Sequence, residues 1–139
     1  MDYIDTDVLV HFLITQDPVW HLKAVDTINE MIIEDRFFIS WLTIQEIAFV
    51  LGKLNQPNSF IQLKLNSLIE NNPVQYGVFE VKRAMALAEI VGFKNFNDCL
   101  HLAIAEQHCT NFYTCNYKDF KNLKEHTLLN IHFFNNQRA

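Results

Sequence analysis

Four separated stretches of this sequence place a carboxylate just after an apolar segment or at the opening of the helix that should follow one. Asp5, with Asp7 two residues on, directly follows Tyr3-Ile4. Glu46 lies in the first turn of a helix expected after Phe37-Phe38-Ile39. Asp98 opens the helix that leads to the segment 111–114, and Asp119 lies five residues beyond Thr114. In an open α/β sheet the ligand crevice lies beyond the C-terminal ends of the strands, so acids at these places converge on it. Two carboxylates about 5 Å apart repel by roughly 3 kcal/mol at an effective dielectric near 20, so several together demand protons or cations. Oxygen-only ligands select Mg²⁺ or Mn²⁺ over zinc or copper. Such a site activates water and stabilises charge on a phosphoryl group.

Each acid also has a plainer use. Asp5 or Asp7 can cap a helix N-terminus, Glu46 can be the reciprocal partner of Thr43 in a capping box, and Asp98 can complement a helix dipole. Two details weigh against capping alone. Asp98 heads the stripe Asp98, Leu102, Ala105, and Glu46 is embedded among Ile44, Ile47, Phe49 and Val50. Half-buried carboxylates with no basic neighbour in sequence need a partner, and a metal ion is one.

The elements that must position these acids alternate between strand and helix. Tyr3-Ile4 reads as a short strand and 8–14 as a first helix. A second helix is expected over 19–35 with the stripe Leu22, Val25, Ile28 and Ile32, followed by the strand Phe37-Phe38-Ile39. Thr43-Ile44-Gln45-Glu46 and Ser59-Phe60-Ile61-Gln62 both have the capping-box pattern and open helices, with a turn over 55–58 between them. The segment 74–76 reads as a short strand. A helix on Val81, Ala84, Met85, Ala88 and Val91 ends at Gly92, and Asn95 or Asn97 caps the next one, which runs to His108. A strand over 111–114, a short helix over 118–124 and a strand over 131–134 complete the pattern. Strands separated by helices mean crossovers, hence a mainly parallel sheet covered by helices, in one domain over residues 1–139.

Half of the 139 residues are hydrophobic and only 3 are Gly and 3 Pro, which excludes a disordered, collagen-like or turn-rich all-β chain. Cys99, Cys109 and Cys115 form neither a CxxC pair nor a zinc pattern, so a reducing cytoplasm is expected. The acidic start MDYIDTDVLV is not a secretory signal, and no apolar run is long enough to cross a membrane. A net charge of −5 excludes a domain-wide basic surface for nucleic acid, but not acids that hold cations and bring a phosphate in. The six His lack an HxH or HExxH element, and most are expected to be solvated or locally hydrogen-bonded. His11, four residues after Asp7, and His101, three after Asp98, are spaced to border the site. Lys118, Lys121 and Lys124 recur every three residues, as a solvated helix face or as a patch that meets phosphates. The 12 Phe, Trp20 and Trp41 are expected in the core or a subunit interface.

Taken in order, Ile4-Asp5-Thr6-Asp7-Val8-Leu9, Thr43-Ile44-Gln45-Glu46-Ile47, Asn97-Asp98-Cys99-Leu100-His101-Leu102-Ala103 and Tyr113-Thr114-Cys115-Asn116-Tyr117-Lys118-Asp119-Phe120 form a spaced signature. It resembles that of a PIN domain of the VapC toxin type over essentially the whole chain. The resemblance implies an α/β/α sandwich with a short parallel sheet and a Mg²⁺- or Mn²⁺-dependent ribonuclease. It also implies the toxin of a toxin–antitoxin pair, a small antitoxin partner and a homodimer. Asp5, Glu46 and Asp98 match the family's first three acids. At the fourth motif this chain has Asn116 where many members have an acid, and Asp119, three residues on, takes that role. Asp7, Thr6, Thr114 and Asn116 are then supporting residues. Two other readings stand beside it: a PIN-like protein-binding module whose altered fourth motif has cost it activity, and a haloacid-dehalogenase-like phosphatase using Asp5 and Asp7 in the pattern Asp5-Thr6-Asp7-Val8.

Overall fold

The structure, a computed structural model, describes residues 1–134. Four strands, β1 (Asp2–Ile4), β2 (Phe37–Phe38), β3 (Asn111–Thr114) and β4 (Asn130–Phe133), form a single sheet in the order β2-β1-β3-β4. Every pairing is parallel, with Tyr3 opposite both Phe38 and Phe112. The crossovers are α1 (Thr6–Leu13) and α2 (Pro18–Ile33) from β1 to β2. From β2 to β3 they are α3 (Trp41–Lys53), α4 (Asn58–Ile69), α5 (Val78–Val91) and α6 (Phe96–His108). The short α7 (Tyr117–Phe120) precedes β4.

The two-residue period of a strand divides the core into layers. Tyr3 and Phe112 face one side of the sheet, with Leu87 and Ala88 of α5, Leu102 and Ala105 of α6, and Phe120. Ile4 faces the other, with Val8 and Leu9 of α1, Ile28 and Met31 of α2, and Ile47 and Leu51 of α3. Helix α6 is buried at every position from Cys99 through Ala105, as expected of a helix packed between the sheet and α5. Gly92, at φ 103°, ends α5 in a conformation that a side chain would strain, and a 3₁₀ turn at Phe93–Asn95 leads into α6.

Several expected details differ. The core face of α2 is Ala24, Ile28 and Met31; Leu22 and Ile32 are 63% and 42% exposed. The expected and observed stripes share Ile28, so periodicity alone could not choose between them. Met85 likewise lies outside the core face of α5, which uses Ala84, Leu87 and Ala88. Helix α3 is capped three residues earlier than expected: its capping box pairs Ser40 with Thr43, so Glu46 is not Thr43's partner. Helix α4 starts at Asn58, which puts Ser59 inside the helix and leaves no side-chain cap. The strand expected over 74–76 reduces to one bridge, Val74 with Ser40. Pro73 has no N–H to extend that ladder.

Asp2, 1% exposed at the start of β1, accepts from Arg36 and, at 3.0 Å, from Asn111 Nδ2. Its carboxylate thereby ties the leading ends of β1, β2 and β3. Replacing Arg36 by Met leaves that charge unpaired in a buried position and should cost about 1–3 kcal/mol in urea unfolding, less than a fully buried pair because Arg36 is partly exposed. The double variant Asp2→Asn/Arg36→Met should recover part of the loss; equal losses in the single and double variants would contradict this role.

Candidate metal centre

Strand β1 has β2 on one side and β3 on the other, so successive connections leave in opposite directions at the β1/β3 boundary. That is the switch point where a crevice opens beyond the strand ends. Asp5, the residue after β1, caps α1: its Oδ1 accepts from Thr6 N at 2.9 Å. Its Oδ2 accepts from Thr114 Oγ1, at the end of β3, at 2.8 Å. Asp7 reaches the same boundary, accepting from Cys115 N at 3.1 Å and from Thr114 Oγ1 at 3.4 Å.

Helix α3 brings Glu46 in from the β2 side. Its Oε1 accepts from Thr6 Oγ1 at 2.5 Å and lies 2.5 Å from His101 Nε2 on α6. One donor atom each from Asp5, Glu46 and His101 lie within 4.8 Å of one another. On the other flank Asn116 Nδ2 donates to Asp98 Oδ2 at 3.2 Å and to Asp119 Oδ2 at 2.8 Å. A cavity of about 680 Å³ opens onto Asp5, Asp7, Glu46 and Asp98, and continues along Val10, His11, Gln45 and Phe49. Among the described residues that line it there is no Lys or Arg.

The electrostatics are those of crowded acids. Burial, then the charge of Asp7, pushes Asp5 well above the ordinary carboxylate range; Asp98 adds to this, against His101 and Thr114. Burial also raises Asp7, against the donors from Cys115, Val8 and Thr114. Asp98 is pushed up to about 6 by burial and by Asp119, Asp7 and Glu46, with His101 opposing. Glu46 goes the other way: burial would raise it, but His101 and Thr6 together hold it low. Burial disfavours a charged His101, yet Tyr3, Glu46 and Asp5 around it raise it well above the ordinary imidazole value.

The capping explanation thus holds for Asp5, in addition to its place in the cluster, and fails for Glu46. Asp98 approaches the cluster, while Asp119 is joined to it through Asn116 and does not line the cavity. Thr6, Thr114 and Asn116 each donate to an acid. Lys118, Lys121 and Lys124 are exposed, Lys121 over the Tyr117 ring at 5.7 Å and Lys124 over Phe133 at 5.6 Å. His101 was only a bordering candidate in the sequence; it is fully buried and central. The available signal was a polar ring inside the apolar run Leu100-His101-Leu102-Ala103, which had to find partners.

The raised value of Asp98 makes its ionisation oppose folding. Between about pH 4, its unfolded value, and about pH 6, the folded chain holds the proton longer, so its contribution to stability falls as pH rises. Asp98→Asn, without metal and with chelator, should therefore stabilise the chain at pH 7 by about 1–3 kcal/mol, a rise of a few degrees in melting temperature. It should also flatten the difference from the parent chain below pH 4. A melting temperature at pH 7 equal to or below that of the parent would contradict the crowding of charge.

Comparison with known proteins agrees with this arrangement. The sequence pattern of the PIN domain family matches residues 3–125. No curated protein matches the chain in sequence. Among solved structures, the chain is similar in fold to one chain of VapBC2 from Rickettsia felis, crystallised bound to a DNA fragment from their promoter. The TM-score is 0.66 at 16% identity, covering 95% of this chain and 98% of that one. Residues 5–8, which also fit a phosphatase opening, fall inside the PIN match. From β1 through the turn beyond α7, sequence pattern and fold coincide, and the chain belongs to the PIN domain family.

Proposed function

We propose that this protein is a divalent-metal-dependent endoribonuclease and the toxin of a type II toxin–antitoxin pair. The observation that carries the reading is the convergence of Asp5, Asp7, Glu46 and Asp98 on one cavity whose described lining holds no Lys or Arg. Such a donor set fits Mg²⁺ or Mn²⁺: it is dominated by carboxylate oxygens, and two of its acids, Asp5 and Asp98, are raised by burial and by the charge of neighbouring carboxylates. Asp5, Glu46, Asp98 and Asp119 would hold the cation. When bound, the ion acidifies water and neutralises charge on a phosphodiester.

The chain's own residues do the rest. Thr6 and Thr114 fix Asp5 and Glu46 by hydrogen bonds, so the acids are oriented before substrate arrives. Asp98, whose carboxyl is pushed up to about 6 by burial and neighbouring acids, accepts the proton of the attacking water. No side-chain nucleophile is required. Asn116 keeps Asp98 and Asp119 together, and Asp7 braces the end of β3. Lys118, Lys121 and Lys124 meet RNA phosphates beside the site. The similarity to a VapBC2 chain supports a small antitoxin partner. We place residues 1–139 in one PIN unit that works as a homodimer in the cytoplasm.

Asp5→Asn should lower cleavage of single-stranded RNA at least about 100-fold while leaving the circular dichroism spectrum unchanged. Chelator should abolish cleavage by the parent chain, and Mn²⁺ or Mg²⁺ should restore it. Full activity in the folded Asp5→Asn variant, or in chelator, would refute the assignment and favour a binding module. Millimolar Mn²⁺ should also raise the melting temperature by relieving carboxylate repulsion, an effect that Asp5→Asn should diminish.

A further inference from the structure

His101 has no exposed surface, and both of its ring nitrogens are engaged. Nδ1 lies 2.7 Å from the Tyr3 hydroxyl, and that hydroxyl lies 2.7 Å from Ser40 Oγ, the cap of α3. Nε2 lies 2.5 Å from Glu46 Oε1 and 3.4 Å from Thr6 Oγ1. Tyr3 is itself fixed: it is fully buried, and its ring stacks on Phe112 at 5.4 Å, 4° from parallel. The imidazole therefore cannot turn about its axis without breaking contacts at both nitrogens.

The short contact to Glu46 fixes a proton. Two lone pairs facing each other at 2.5 Å would repel, so a hydrogen lies between Nε2 and Oε1. With Nε2 so occupied and Nδ1 taken by Tyr3, the ring has no lone pair left for a cation. His101 also does not line the cavity, whereas Glu46 and Thr6 do. Both close partners of Glu46, Thr6 and His101, fall on Oε1; the Asn97 side chain, which also lines the cavity, adds a weaker hydrogen bond to the carboxylate.

We propose that Tyr3 and His101 form a positioning relay that clamps Glu46 through Oε1 and leaves Oε2 to the cation, with His101 acting behind the carboxylate and not as a ligand. In many metal sites a carboxylate orients a ligating imidazole; here an imidazole orients a ligating carboxylate. The relay ties β1, α3 and α6 to the second acid, so the order of the core is transmitted to the cavity. The inference rests on the metal-dependent reading above and deepens it.

The test measures Mn²⁺ dissociation constants by electron paramagnetic resonance for the parent chain, His101→Leu, His101→Gln and Tyr3→Phe, each checked for folding by circular dichroism. Loss of the relay in His101→Leu and Tyr3→Phe should weaken Mn²⁺ binding about 10- to 100-fold. His101→Gln, whose amide can donate to Oε1, should recover most of it. The parent Mn²⁺ complex should lack the hyperfine coupling of a directly bound nitrogen. Unchanged dissociation constants in Tyr3→Phe and His101→Gln together with either a folded, unchanged His101→Leu or an unfolded one would overturn the relay. So would a bound-nitrogen coupling in the parent chain that His101→Gln abolishes, since His101 would then be a ligand. A parent chain that takes up no Mn²⁺ overturns the metal reading itself; parent binding with unchanged variants overturns the relay alone.

Discussion

Asp5 must remain buried at the one boundary of the sheet where successive crossovers diverge, and much of the molecule is arranged around that requirement. It is 4% exposed, yet it closes β1, caps α1 and accepts from Thr114 at the end of β3. A carboxylate in that position cannot rely on water and must be satisfied by fixed donors. The Thr6 amide and the Thr114 hydroxyl supply them, the second from 109 residues along the chain from Asp5. The same bonds that satisfy the charge therefore lock the register of α1 against β3.

Donors do not cancel like charge, and the acids around Asp5 deepen the problem they share. Asp7 and Asp98 raise it further, and Asp98 is raised in turn by Asp119, Asp7 and Glu46. Among the titrating groups named for these shifts, His101 is the one that counters them, lowering Asp5, Asp7, Glu46 and Asp98 alike. It is placed at Glu46, which alone among these acids is held low. The compensation is thus uneven across the cavity: the Glu46 side is settled by protein groups, and the Asp98 side retains a demand for positive charge. A bound cation would meet that demand and would also attract a phosphate.

The sequence made the strand-helix alternation legible because each strand is a short apolar run beside a helix of clear period. Strand β3 matches its expected bounds, and Asp5, Glu46 and Asp98, singled out by their positions in the sequence, line one cavity. What failed were choices that local pattern leaves degenerate. Ser40 and Thr43 can both begin a capping box, and the tertiary bridge from Ser40 to Val74 accompanies the earlier start. That choice mattered for chemistry, because it released Glu46 from a capping role. His101 was obscured for a different reason: its partners Tyr3 and Glu46 lie 98 and 55 residues away, and no local spacing reports contacts of that range.

Asn116 gives the fourth motif a physical sense that its departure from the family pattern conceals. Its side chain is the cap of α7, with Oδ1 accepting from Asp119 N at 3.2 Å, while Nδ2 donates to both Asp98 and Asp119. An aspartate at 116 could accept the capping bond but could donate to neither acid. It would instead bring another negative charge beside a carboxyl already pushed up to about 6. The amide therefore lets Asp98 and Asp119 share a donor, with Asp119 three residues along α7 from the cap. Asn116 and Asp119 thus act as a pair: the charge sits on Asp119, and the group between the two acids is an amide that holds them together.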